Sequence, residues 1–169
     1  MVRPKLDDLP DAPLPPGLEI RAVEPGHLRA IFEAEVEALR DHWGEGVPTD
    51  ADYQRFLTDQ VQGDHSLWRV AWEGDQVAGM VRGYINAEEN RTFERKRGWV
   101  ESISVRRPWR RRGLARALIA STITALRERG MTEGALGVDT ENPSGALRLY
   151  ESCGFVAAQR EAVYRRPLT

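Results

Sequence analysis

From residue 18 onward, the apolar positions along the chain recur with two alternating periods, one of strands and one of helices. Residues 18–23 (LEIRAV) alternate as a strand does and are closed by Glu24, Pro25 and Gly26. Residues 27–43 then set Leu28, Ile31, Phe32, Val36 and Leu39 on one helical face, with Glu33, Glu35 and Glu37 opposite. Thr49 or Asp50 offers a cap for a second helix over 51–61, whose apolar side is Tyr53, Phe56, Leu57 and Val61. The strand period returns in 66–72 (SLWRVAW) and 76–85 (QVAGMVRGYI), which flank the turn signal Glu73-Gly74-Asp75. Residues 86–96 are polar without a period and read as a loop.

The second half of the chain is organised around residues 100–121, VESISVRRPWRRRGLARALIAS. Its first third predicts a strand over 100–105, and Leu114, Ala117, Leu118 and Ser121 predict a helix that continues through Ile123 and Leu126 to Arg129, with Gly130 as its stop. A strand over 134–140 follows. A short helix over 143–152 carries Ala146, Leu147, Leu149 and Tyr150, and a strand pair over 155–158 and 162–165 ends the order. This succession predicts an α/β fold around a mixed sheet.

Residues 1–17 break the pattern, being rich in proline and aspartate with neither period, and predict an extended tail or linker ahead of a domain spanning 18–169. At 169 residues and 41% hydrophobic, the chain is long enough for one domain with a real core. No apolar run is long enough to span a membrane, no signal-peptide pattern is present, and Cys153 has no second cysteine to pair with, all of which suits the cytoplasm. His27, His42 and His65 lack ligand spacing, so no metal site is expected.

The turn at 106–113 brings in the chemistry. It is basic, and its one glycine, Gly113, falls where the helix begins. The first amides of a helix lack internal partners and lie at the positive end of its dipole, so a glycine there lets an anion approach the backbone. The stretch is built like an anion cradle. Neither GxxxxGK[ST] nor GxGxxG follows any predicted strand, which excludes the P-loop and dinucleotide signatures. A nucleic-acid patch conflicts with the whole-chain balance of 24 Lys+Arg against 26 Asp+Glu.

The run Arg110-Arg111-Arg112-Gly113-Leu114-Ala115 resembles the Q/R-x-x-G-x-G/A signature of the Gcn5-related N-acetyltransferase (GNAT) family. A second segment agrees with it: Asn142, Ala146, then Leu149-Tyr150-Glu151-Ser152-Cys153-Gly154-Phe155 is similar to that family's N-x-x-A-x-x-L/F-Y-x-x-x-G-F. The resemblance covers residues 18–166. It implies a sheet splayed between its fourth and fifth strands, with acetyl-coenzyme A in the gap and the acceptor entering near the first two helices. It also implies that main-chain amides of residues 110–115 hold the pyrophosphate and that Asn142 touches the cofactor. Backbone groups of Ile103, Ser104 and Val105 would pair with the pantetheine arm, the Val105 amide polarising the thioester carbonyl.

Acyl transfer from a thioester to an amine needs a deprotonated amine, a donor to the carbonyl oxygen and an acid for the departing thiolate, but no enzyme nucleophile. Cys153 therefore reads as a small buried residue. Strand alternation puts Glu101, Ile103 and Val105 on one face. By resemblance Glu101 is the candidate base and Tyr150 the candidate acid; a strand-end ion pair and a core tyrosine are their structural alternatives. Asn142 also suits a cap for the helix that Pro143 opens. Asp41, His42 and Trp43, or Arg82, Tyr84 and Asn86, are the candidate acceptor walls, for a small-molecule or peptide amine. Two functions fit these residues: an N-acetyltransferase, or a non-catalytic acyl-coenzyme A-binding domain. The proline-rich segment resembles linkers in tandem enzymes of the mycothiol synthase type, which would make this chain a C-terminal module with a second such module, or a homodimer mate, as partner.

Overall fold

The computed structural model describes residues 1–40, 47–59, 61–138 and 145–159. Its frame is a six-stranded mixed sheet of β1 (Val2–Arg3), β2 (Glu19–Arg21), β3 (Trp68–Glu73), β4 (Gln76–Tyr84), β5 (Arg97–Val105) and β6 (Glu133–Ala135). The spatial order is β1-β6-β5-β4-β3-β2. All neighbours are antiparallel except β5 and β6. A parallel neighbour needs a crossover, and α4 (Leu114–Glu128) supplies it.

On α4 the buried positions Leu114, Ala117, Leu118, Thr122, Ala125 and Leu126 form one stripe against the sheet. Thr122 is tolerated there because its hydroxyl donates to the Leu118 carbonyl at 2.9 Å. Helix and sheet approach so closely at Gly98 that a Cβ would lie 2.6 Å from a Leu126 methyl. The opposite face is covered by α1 (Leu28–Leu39) and α2 (Asp50–Thr58), with Ile31, Ala34, Phe56, Trp68, Val70, Trp72, Val77 and Met80 forming a second core cluster. Thr49 and Asp52 close a capping box at the start of α2, each side chain accepting from the other's amide. No described helix is long and apolar enough to cross a membrane.

The α/β class and mixed sheet agree with the sequence reading, and three local expectations do not. Residues 86–96 are not all loop, for α3 (Ala87–Thr92) forms where Asn86 accepts from the Glu89 amide at 3.0 Å. That helix has no apolar stripe, so only its cap and its acidic first turn betray it. The strand expected over 134–140 is, within the described residues, the three-residue β6, with 139 and 140 lying outside them, and of the final strand pair the first member is a single bridge from Val156 to Val2. Residues 162–165 lie outside the described residues.

Residues 1–17 differ most. The segment expected as a loose tail is part of the domain: β1 pairs with β6, and Val2 exchanges two 2.8 Å backbone bonds with Val156. Leu6 is 2% exposed in the main core, and the buried Arg3 guanidinium donates to the carbonyls of Cys153 and Asp7. The physical reason is the open edge of β6, which this segment pairs. It then crosses the surface irregularly, so its leucines fall on no period.

Candidate active site

β5 and β6 pair only over Arg97↔Glu133, Gly98↔Gly134 and Trp99↔Ala135. Past these residues β5 continues along β4 to Val105, whereas residues 136–138 make no ladder with it. Counted from residue 18 these are the fourth and fifth strands, so the sheet forks where the resemblance placed its gap. A cavity of about 910 Å³ fills the fork. Its walls are residues 101–105, residues 110–116, Gly137, Val138, Leu149 and Tyr150, with Ala38 and Leu39 from α1 and residues 11–13 of the N-terminal segment. Apart from Asn142, which lies outside the described residues, every candidate catalytic and cofactor-binding residue lines this one cavity.

The fork coincides with a bulge. Arg82 faces Glu101, yet Met80, two residues earlier on β4, faces Ser104, three residues later on β5. The extra residue is accommodated at Ser102, whose φ of 49° is in the left-handed region. For a residue with a Cβ this conformation costs about 1–2 kcal/mol. The bulge also corrects the expected alternation: Glu101 pairs with Arg82, on the side of α1 and α2, whereas Ile103 and Val105 pack toward the α4 cluster. The three do not share a face.

Glu101 reaches across the gap, its Oε1 accepting from the Gly137 amide at 2.8 Å. Among the described residues this bond links the two strands' continuations where the ladder has ended. The other edge of β5 is equally well defined. The Arg106 amide donates to Ala78 on β4 at 2.9 Å, so by alternation the Val105 peptide groups point into the fork, where Arg110 Nε donates to the Val105 carbonyl at 2.9 Å. The Val105 amide is directed the same way.

The start of α4 forms the far wall. Gly113 precedes it with φ 84° and no side-chain cap, and a Cβ there would meet nothing within 4 Å. The arginines of the turn divide by role. Arg106 pairs with Glu37 at 2.9 Å, and Arg110 also donates to the Ala38 carbonyl at 2.9 Å, so both brace the turn against α1. Arg111 and Arg112 stand exposed at the mouth. Opposite them, on α5 (Ala146–Ser152), lies Tyr150, 8% exposed.

The model of the Acetyltransferase (GNAT) family matches residues 28–155. The chain belongs to this family. It is 31% identical over 167 residues to a mycothiol acetyltransferase of Thermobispora bispora, a match covering 98% of this chain and 56% of that protein. A mycothiol acetyltransferase of Salinispora arenicola is likewise 31% identical over 167 residues, 97% of this chain and 53% of the relative. The chain thus spans about half the length of these relatives. Among solved structures, a GCN5-related N-acetyltransferase from Sphaerobacter thermophilus superposes with a TM-score of 0.71 at 35% identity, covering 90% of this chain and 46% of that one.

Electrostatics in this GNAT cleft set two groups apart. Burial raises the Glu101 carboxyl above the usual range, against the pull of the Gly137 amide and Arg82. Burial, followed by the Glu101 charge, pushes the Tyr150 phenol up to about 12, so it keeps its proton at neutral pH. The Cys153 thiol is buried and also raised by burial, which leaves it unreactive. Ser104 is 5% exposed, and among the described residues its hydroxyl has no hydrogen-bond partner.

On the acceptor side, Arg82 is corrected: its side chain is 13% exposed and pairs with Glu35 at 3.1 Å, so it is interior and not a wall. Asn86 is used as the α3 cap, and Tyr84 stacks on Trp99 with centroids 6.0 Å apart. Asp41, His42 and Trp43 lie outside the described residues. The sequence reading missed the Glu35–Arg82–Ser102 cluster. A glutamate on the polar face of a helix gives no sign of burial, and no pattern announces a bulge.

Proposed function

We propose that this GNAT domain transfers an acetyl group from acetyl-coenzyme A to a primary amine by direct attack in a ternary complex. The observation that carries the reading is the convergence, in one forked cleft, of a carboxylate with a raised pKa, a phenol that keeps its proton, an amide on a free strand edge and an uncapped helix start. The cofactor's anionic part suits the cradle at 110–115, where Gly113 leaves open space and two arginines stand unburied. Its arm suits the free edge of β5 at residues 103–105.

Acetyl-coenzyme A supplies the activated acyl carbon. Glu101, directly or through water, takes the proton from the incoming ammonium; its raised pKa makes it a stronger base than an ordinary carboxylate. The Val105 amide donates to the carbonyl oxygen as negative charge develops there. As the new C–N bond forms and the C–S bond breaks, Tyr150 gives its proton to the leaving thiolate, and the second proton shed by the nitrogen restores the phenol, leaving a neutral amide. The acceptor class favoured by the relatives' names is mycothiol lacking its acetyl group, and their greater length favours a second module beside this one.

The test is release of free coenzyme A thiol from acetyl-coenzyme A, with deacetylated mycothiol, an aminoglycoside and an alanine-terminated peptide as trial acceptors. Release that depends on an acceptor is expected. Calorimetric binding of acetyl-coenzyme A without release on any amine would favour the non-catalytic binder instead. Gly113→Val should weaken coenzyme A binding at least about tenfold, because a branched side chain at positive φ is strained and enters the cradle. Unchanged affinity would remove the cradle from this turn.

A further inference from the structure

The proposed chemistry uses neither Glu35 nor Arg82, yet together they hold the one strained residue of β5. Arg82 Nη2 donates to Ser102 Oγ at 2.7 Å and pairs with Glu35 Oε1 at 3.1 Å. The Ser102 hydroxyl also lies beside the Glu35 carboxyl and, with Arg82, favours its charged form against the effect of burial. The guanidinium lies 5.3 Å from the ring centroids of both Phe56 and Trp68, which fixes it from the other side. Three elements, α1, β4 and β5, meet at one serine hydroxyl.

Stability alone accounts poorly for this cluster. A buried ion pair is commonly replaceable by packed apolar side chains without loss, and among the described residues Arg82 Nε is buried with no acceptor. The cluster instead supplies geometry. Ser102 is a non-glycine residue at φ 49° in the strand, and the bond from Arg82 to its hydroxyl helps to keep it there. If it relaxed toward ordinary strand angles the bulge would be lost. Glu101 and the Val105 amide would then change their orientation to each other and to Gly137.

We propose that Glu35 and Arg82 are positioning residues that, through the Ser102 hydroxyl, hold the β5 bulge and thereby aim Glu101 and the Val105 amide into the fork. This rests on the reading of the fork as an acetyl-coenzyme A site. Glycine tolerates the left-handed conformation without an anchor and alanine does not, so the two replacements of one residue separate geometry from side-chain contact.

The experiment is calorimetric titration with acetyl-coenzyme A, alongside amide hydrogen exchange of residues 101–105 in the unliganded protein and thermal melts of each variant. Ser102→Ala should bind about tenfold more weakly than wild type and exchange faster over 101–105, whereas Ser102→Gly should recover most of that loss. The double replacement Glu35→Leu with Arg82→Leu keeps the site filled and should fold, yet show the alanine phenotype; adding Ser102→Gly to it should restore binding. Equal behaviour of alanine and glycine, or wild-type affinity and exchange in the double-leucine protein, would overturn the proposal. Failure of the wild type to bind acetyl-coenzyme A would refute the cofactor reading instead, and the exchange data would still decide whether the cluster holds the bulge.

Discussion

The two halves of β5 share a partner strand and differ in almost everything else. Residues 97–99 pair with β6 on one edge while Trp99 and Val100 pair with β4 on the other, and Val100 is fully buried beneath α4, with Gly98 admitting the Leu126 side chain. Residues 101–105 are paired on one edge only, contain a left-handed serine and line the cavity. One extra residue at Ser102 separates them. The difference teaches that the site is made by interrupting a sheet, so that backbone groups and a carboxylate which a regular ladder would consume are left facing a cleft. Side chains against the first half should therefore govern stability, and side chains facing the second half should govern chemistry.

The largest expected effect is on the second half. Tyr150→Phe keeps the ring and removes the proton, so turnover should fall by roughly 10²- to 10⁴-fold, the usual range for general acid catalysis, with acetyl-coenzyme A affinity nearly unchanged. Wild-type turnover would make Tyr150 a core residue and blur the contrast between the halves.

Against the first half, Leu126→Ala removes the fully buried side chain that Gly98 accommodates, and should cost about 2–5 kcal/mol in denaturant unfolding. The surviving folded protein should bind acetyl-coenzyme A normally. A loss of affinity with little loss of stability would show that the halves are not separable.

A smaller effect concerns the edge that steadies β6. Deleting residues 1–16 removes β1 and the buried Leu6, worth about 1.5–3 kcal/mol for the leucine alone, and should lower the melting temperature by roughly 4–10 °C. An unchanged melt would return the segment to the role of a tail.

Much of this was legible in the sequence where a local rule controls the outcome. The stripe on α4 and its glycine stop, the Thr49 cap and the β3–β4 turn each follow from residues within one element. The open, uncapped start of α4 was legible for the same reason, since Gly113 and the helix it precedes are contiguous. Long-range pairing was not. Arg3 and Leu6 show no period because their partners lie some 130 to 150 residues away, at β6 and Cys153. Strict alternation likewise put Glu101 with Ile103 and Val105, and nothing in the string VESISV marks the residue at which that alternation fails.

The central claim is that Glu101, held across the fork by the Gly137 amide, draws the proton from the acceptor amine. The measurement that tests it most directly is the pH dependence of acetyl transfer for wild type and Glu101→Gln. A base must be ionised to act, so the wild-type rate should fall as pH is lowered through the Glu101 pKa. Because burial raises that pKa, the midpoint should lie above the ordinary glutamate value of about 4.3. In Glu101→Gln, which retains an acceptor for the Gly137 amide, the rate should be lower and that acid limb absent. An acid limb of unchanged position and depth in the glutamine variant would contradict the account.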